Sequence, residues 1–461
     1  MSSATKALSS LAVAAASFLL YSNLLVVLSR QSSVPTAVAV LVPALLMFAV
    51  LHRLVVCREG IVVDRTLLMM LALFAVLLVS AFPAPGLEQA VSRMSVYAIE
   101  GLLMYFLVRN AIGSLGELRW AAVGVVIASV MLALLALVQA GTGNYEQDFM
   151  GLAERSLEHL DEPGRTAAPE SQMGLEDRAY GPVGDPNRFA QMLMMALPIA
   201  LVLGMTAKSR LGSLLAFGSV LAVLGGIFVT YSRGAFLTLA VLVVLMVPMR
   251  LMSARKLIAL TVVAVLLAPI VAPGYTQRMV SIGGVAELFG SSEAEADGAT
   301  EGRTTEMLAA LAAYTDHPVL GVGPGQYLHY YSVYYQGLPE ISIRAIPEPR
   351  RAHSLYLELG AELGTIGLVA FLAIPLLLLR DLRVLRLGLA ERRPDLSRLA
   401  ASFSLVLLAY LGTGVFLHLA FERYYWFMIG MTAAAAGELH KRSQALRLDD
   451  SHSWAARPTS L

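Results

Sequence analysis

Six side chains of this sequence could together handle a phosphorylated substrate: Arg233, Arg303, Arg344, Arg350, Arg351 and His353. An arginine fork grips phosphate oxygens through paired, charge-assisted hydrogen bonds, and it stays ionised at any physiological pH. A histidine titrating near neutrality can take a proton from a sugar hydroxyl, a contribution of roughly 10²–10⁴ in rate. Arginines converging with one histidine suit a substrate that carries a lipid-linked diphosphate. Tyr327 heads a cluster with Tyr330, Tyr331, Tyr334 and Tyr335, and such rings offer faces on which sugars stack. Glu358 and Glu362 stand one helical turn apart just after His353, where they could orient it or a neighbouring arginine.

Each of these residues also has a structural reading. Arg233 could cap a turn and snorkel to headgroups, and Arg350 and Arg351 could anchor a helix at the interface. His353 could bond backbone at a helix start. His317, in Asp316-His317-Pro318, fits a structural role, and the tyrosines fit an interfacial aromatic belt. Asp185-Pro186-Asn187 is adequately explained as a helix cap followed by proline in the first turn. The glycine-rich stretch from Gly321 to Gly325 follows no strand and lacks a phosphate-binding lysine, which argues against a nucleotide loop.

What must position these residues is a membrane bundle. The chain is 57% hydrophobic and 15% charged, with a mean hydropathy of +0.68, so it cannot cover itself with a charged skin. The net charge of +1 says nothing about nucleic acid, and no nucleic-acid partner is expected. The single cysteine, Cys57, excludes an internal disulfide framework or a cysteine-rich metal site. Runs long enough to cross the hydrocarbon recur about a dozen times, and the first reads as an uncleaved helix rather than a signal peptide. They fall near 8–29, 34–51, 66–82, 94–111, 120–140, 187–206, 211–231, 234–252, 257–273, 354–379, 399–418 and 422–438. The apolar stretch from Leu211 to Met252 breaks at Tyr231-Ser232-Arg233-Gly234, which places Arg233 at a hairpin tip.

Arginine and lysine placement orients the bundle. With both termini inside, Arg53, Arg58 and Arg65, then Lys208 with Arg210, Arg250 with Lys256, and the cluster from Arg380 to Arg398 all face the cytoplasm. The expected organisation is therefore helices 1–5 over 1–140, an outward loop over 141–185, and helices 6–9 over 186–273. A large outward loop over 274–352, helices 10–12 over 353–440 and a cytoplasmic tail over 441–461 follow. In the large loop, Gly290–Gly302 reads as a flexible acidic tether. Arg303–Tyr314 reads as an amphipathic helix with Met307, Leu308, Leu311 and Tyr314 on one side, lying on the membrane surface or against the bundle.

These residues resemble the O-antigen ligase and polymerase superfamily, membrane glycosyltransferases of bacterial polysaccharide assembly. The ligases carry Arg, three residues, then Leu, seen here as Arg233-Gly-Ala-Phe-Leu237. They also carry a histidine motif that His353-Ser354 and Gly364-Thr-Ile-Gly367 match in spacing. Gly302-Arg303 and the stretch from His317 to Tyr327 look like what precedes that motif, and Asp185-Pro-Asn187 before a span is likewise familiar. The likeness covers roughly 180–380 by motif and the rest by topology alone. It implies an all-α, GT-C-like polytopic protein of the bacterial inner membrane with its chemistry at the periplasmic face. It also implies an inverting enzyme that uses neither nucleotide sugar nor metal and no other cofactor. The donor would be a glycan on undecaprenyl diphosphate, and the acceptor a hydroxyl of lipid A core or of another lipid-linked repeat unit. Arg233 and Arg303 would hold the diphosphate, His353 would activate the acceptor, and Arg344, Arg350, Arg351, Tyr327 and Glu358 would line the substrate site. Membrane lipids and other polysaccharide-assembly proteins would be its surroundings.

The 141–185 loop departs from the compact pattern. Its acids Glu158, Asp161, Glu162, Glu176 and Asp177 keep open a metal-dependent variant, although their spacing forms no ligand set. The rival class is a transporter or flippase of lipid-linked sugars. Against it stand the concentration of charge in one long loop and the scarcity of ionisable residues within the spans, Glu100, Glu358 and Glu362 apart. A non-catalytic scaffold of an assembly complex is the third reading.

Overall fold

The computed structural model describes residues 3–31, 40–145, 147–153, 178–259, 262, 298–337, 350–418 and 420–455, and among these every regular element is helical. The chain enters through α1 (Ser3–Tyr21) and α2 (Leu24–Gln31), separated by Asn23 in the left-handed region at φ 56°. Next comes α3 (Leu41–Leu51), which ends in a π-helical turn, His52–Val56. Asp64 caps α4 (Arg65–Ala81) by accepting from the Leu67 amide. A π-helical turn, Tyr97–Leu103, interrupts α5 (Leu87–Ala111). The long α6 (Leu115–Thr142), α7 (Pro186–Met205) and α8 (Arg210–Phe228) follow, begun by Ser114, Asp185 and Ser209 side chains that each satisfy first-turn amides.

The chain then turns at 229–231, where the apolar stretch is expected to break, and continues as α9 (Arg233–Leu245). After it come α10 (Gly298–Asp316), α11 (Tyr327–Gln336), α12 (Leu355–Leu389), α13 (Pro394–Thr413) and α14 (Arg423–Ala455). Among the described residues six helices, α5 to α8 with α12 and α13, are long and apolar enough to cross a membrane. Shorter apolar helices cover Ala7–Tyr21, Leu41–Val56, Arg65–Ala81 and Arg233–Leu245. This is the architecture of a polytopic membrane protein. The expected span at 257–273 lies outside the described residues except for its first turn, as do Arg344, the 154–177 acids and the acidic tether up to residue 297.

The two ends of the bundle differ in what joins them. At one end Arg65 Nη2 meets Asp381 Oδ2 at 2.8 Å, Arg386 donates to the Pro248 carbonyl at 3.2 Å, and Arg109 Nε meets Asp64 Oδ2 at 2.8 Å. At the other, Asn23 donates to the Pro182 carbonyl at 2.9 Å and Arg178 Nε to the Thr230 carbonyl at 2.8 Å. There too Arg188 Nη2 meets Glu422 Oε1 at 2.5 Å, and Gln326 brackets Gly86, accepting from its amide at 3.0 Å and donating to its carbonyl at 2.8 Å. Basic residues expected on the cytoplasmic side thus gather at one end, and Arg233 and His353 sit at the opposite one.

Two findings concern the segment before α12. Helix α10 starts at Gly298, so the last part of the expected tether is helical. It packs against the bundle, and by its small side chains: Thr305, Glu306, Ala309, Ala310 and Ala313 are buried against α11 and α12, whereas Leu308 and Leu311 point out. Small side chains let two helices approach closely, and large apolar ones can face lipid, which reverses the usual reading of amphipathicity. Helix α12 itself is broken at Gly364, at φ 63° and ψ −166°. The break frees backbone that the loop after α10 then pairs with. The Val322 amide bonds the Ala361 carbonyl at 2.8 Å, Gly323 the Glu362 carbonyl at 2.9 Å, and the Thr365 amide the Pro318 carbonyl at 2.8 Å.

Candidate active site

His353 stands at the mouth of α12 with φ at +45°. A left-handed conformation costs a residue with a Cβ about 1–2 kcal/mol, so its surroundings must hold it there. They do so from three sides. The Leu355 amide bonds the Gly414 carbonyl at 2.8 Å, which ties the start of α12 to the segment after α13. From that same segment the His418 ring packs edge-on to the His353 ring, with centroids 5.0 Å apart. From α10, Glu306 Oε2 lies 3.3 Å from His353 Nε2.

Glu306 is the buried hub of the cluster. Its side chain is only 2% exposed, and its other oxygen, Oε1, lies 3.5 Å from Arg350 Nη1. A carboxylate in such a place is tolerable only with cationic or hydrogen-bonding neighbours, since removing one would leave an uncompensated buried charge. Its backbone is pinned as well, because the Tyr327 hydroxyl donates to the Glu306 carbonyl at 2.7 Å. Burial, with Glu358 and Glu306 nearby, pushes the Tyr327 hydroxyl well above its ordinary range, so it remains a protonated donor.

Arg351 forks onto Glu358: Nη2 pairs with Oε1, and Nε donates to Oε2 at 3.3 Å. Glu358 therefore orients a neighbouring arginine, and Glu306 is the carboxylate that meets the histidine. Glu362, the other acid expected to do so, lies under the loop after α10, its carbonyl held by Gly323 and by the Ser80 hydroxyl at 3.2 Å.

Arg233 opens α9, behind Ser232, whose hydroxyl caps the helix by accepting from the Ala235 amide at 3.3 Å. Its neighbour Gly234 lies so close to the Phe416 ring that a Cβ there would come within 2.7 Å. Arg303 lies one turn before Glu306 on α10 and is half-buried. The segment between α13 and α14 is thus common ground. Phe416 touches the hairpin tip that carries Arg233, and His418 touches His353, which faces the helix that carries Arg303.

Tyr327 does not fit its expected role. Its ring is 1% exposed and packs edge-on to Tyr331, so no sugar face can stack on it. The more open rings of α11 are Tyr330, Tyr334 and Tyr335, the first two stacked with centroids 6.3 Å apart.

Glu306 and His418 went unread in the sequence. The first has a faint signal, three residues after Arg303 and so on the same helical face. The second has none, because it ends an apolar run that reads as a span. Arg188 and Glu422 were likewise invisible as a pair, coming from α7 and from just before α14.

Residues 217–372 match the family model for O-antigen ligase. The matched stretch contains Arg233, Arg303, Glu306, Arg350, Arg351, His353 and Glu358, and His418 lies beyond it. No curated protein matches the sequence.

Proposed function

With residues 217–372 placing this chain in the O-antigen ligase superfamily, we propose that it is a membrane glycosyltransferase moving a glycan from undecaprenyl diphosphate to an acceptor hydroxyl. The reading rests above all on His353: a strained histidine at a helix mouth, at the end of the bundle that also carries Arg233's hairpin tip and Arg303's helix. Acid–base chemistry and diphosphate recognition both need such groups at one place.

In the proposed reaction His353 takes the proton of the acceptor hydroxyl as its oxygen attacks the anomeric carbon. The bond from that carbon to the diphosphate oxygen breaks, and its electron pair leaves with undecaprenyl diphosphate. Attack opposite the leaving group inverts the anomeric centre. Arg233 and Arg303 hold the diphosphate and stabilise the charge it gains on leaving. Arg350 and Arg351, each tied to a carboxylate, act chiefly by shaping the site. The chemistry runs at the periplasmic face of the inner membrane, uses no metal or nucleotide sugar, and delivers the glycan to lipid A core or to another lipid-linked repeat unit.

The test is transfer in vitro by the purified full chain from an undecaprenyl diphosphate-linked repeat unit, with and without lipid A core and with and without chelator. Longer lipid-linked chains without added acceptor identify a polymerase, and label on lipid A core identifies a ligase. Product that survives chelator and vanishes in His353→Ala and Arg233→Ala supports the mechanism. Folded protein that makes no product yet moves the lipid-linked sugar across vesicles overturns it in favour of a transporter.

A further inference from the structure

We infer that Glu306 is the positioning residue of His353, fixing which ring nitrogen faces the acceptor and stabilising the imidazolium formed on proton transfer. The inference rests on His353 being the base of the proposed reaction. Three observations carry it. Glu306 Oε2 lies 3.3 Å from Nε2, within the reach of a direct charge interaction. The carboxylate is 2% exposed, so water screens that interaction little. Its backbone and its second oxygen are each engaged elsewhere, by the Tyr327 hydroxyl and by Arg350, so the carboxylate has little room to swing away.

With Nε2 turned to Glu306, Nδ1 takes the acceptor's proton. A carboxylate behind an imidazole holds the ring in one tautomer and favours the charged form that the reaction creates. Four groups bear on the ring. Glu306 from α10 favours the protonated form, Arg350 opposes it while partly neutralising Glu306, His418 opposes it when itself charged, and the Arg351–Glu358 pair nearby is self-compensated. The carboxylate in direct contact dominates this set.

The experiment compares full-length wild type, Glu306→Gln, Glu306→Asp, His353→Ala and the double variant Glu306→Gln/His353→Ala, all reconstituted in lipid. Transfer from the undecaprenyl diphosphate-linked repeat unit is followed across pH. Glu306→Gln is expected to lose on the order of 10²-fold in kcat with little change in donor KM, as for a group that acts on the transition state. Losing the negative charge makes His353 harder to protonate. The acid limb of the pH profile should therefore move to lower pH. The double variant should be no worse than His353→Ala, since the two act as a unit. Glu306→Asp keeps the charge, so its limb should stay in place and part of the rate should return. It also carries the test if Glu306→Gln fails to fold.

If His353→Ala is inactive while Glu306→Gln keeps the wild-type rate and profile, the positioning role fails and the base assignment stands. A Glu306→Gln loss with an unmoved limb, additive to that of His353→Ala, likewise overturns it. Full activity in His353→Ala would overturn the proposed function itself.

Discussion

At the residue scale, the carboxylates of the site sort by what each would leave behind. Glu358 is 5% exposed at its side chain and is forked by Arg351. Cutting Arg351 back strands a charge, so Arg351→Ala should destabilise the protein by about 3 kcal/mol. A double change, Arg351→Met with Glu358→Leu, should restore most of that, because replacing both members of a buried pair with apolar groups is near neutral. Thermal melts in detergent would report both. A double variant as unstable as the single one would show that the pair matters for more than charge balance. Tyr327→Phe is milder: it removes one hydroxyl donor from the Glu306 carbonyl and should cost about 1 kcal/mol. Its transfer rate should fall less than that of Glu306→Gln, since the carboxylate itself is untouched. A Tyr327→Phe rate loss equal to that of Glu306→Gln, in protein of wild-type melting temperature, would restore the tyrosine to the substrate site.

At the scale of elements, the break in α12 explains why a glycine-rich stretch without nucleotide chemistry exists at all. The loop after α10 lies directly on the broken helix: a Cβ on Gly364 would come within 2.3 Å of the Val319 backbone, and one on Gly321 within 2.3 Å of Glu362. Both glycines also have positive φ, at 63° and 68°. Gly364→Ala therefore meets a clash with backbone and a disfavoured conformation together. The expected loss is at least about 2 kcal/mol, with faster protease cleavage in 317–326 as the loop comes off. Unchanged melting and cleavage would mean that the loop and helix are not coupled as this packing requires. This feature also marks where sequence reading stops. The helix start at Arg233 was legible because a charge, a serine and a glycine interrupt an apolar run, and His353 because it opens one. The break at Gly364 lies inside a stretch that reads as one span, and although Gly360, Gly364 and Gly367 are all present there, local composition does not say which of them breaks the helix. Glu306 was hidden for a related reason. The packed face of α10 is made of alanine and threonine, and a search for large apolar residues selects the opposite face.

At the scale of the whole molecule, the proposed chemistry depends on which side of the membrane the two ends occupy. The argument for orientation is electrostatic. Arg65, Arg109 and Arg386 are engaged at one end, and cytoplasmic ends of spans carry the excess of basic residues. The opposite end, with α10, α11 and the mouth of α12, should then face the periplasm. Cys57 is the single cysteine, so a Cys57→Ser background gives a clean test. Ser332 lies on α11, and Gly388 lies near the far end of α12, where an added Cβ meets open space. A membrane-impermeant maleimide should label Ser332→Cys in intact spheroplasts and Gly388→Cys only after permeabilisation. The reverse pattern would put His353 on the side where nucleotide sugars are available, and the reasoning toward a lipid-linked donor would lose its footing. Labelling of both from one side would mean that α12 does not cross the membrane, despite 35 residues that at about 1.5 Å each exceed its hydrocarbon thickness.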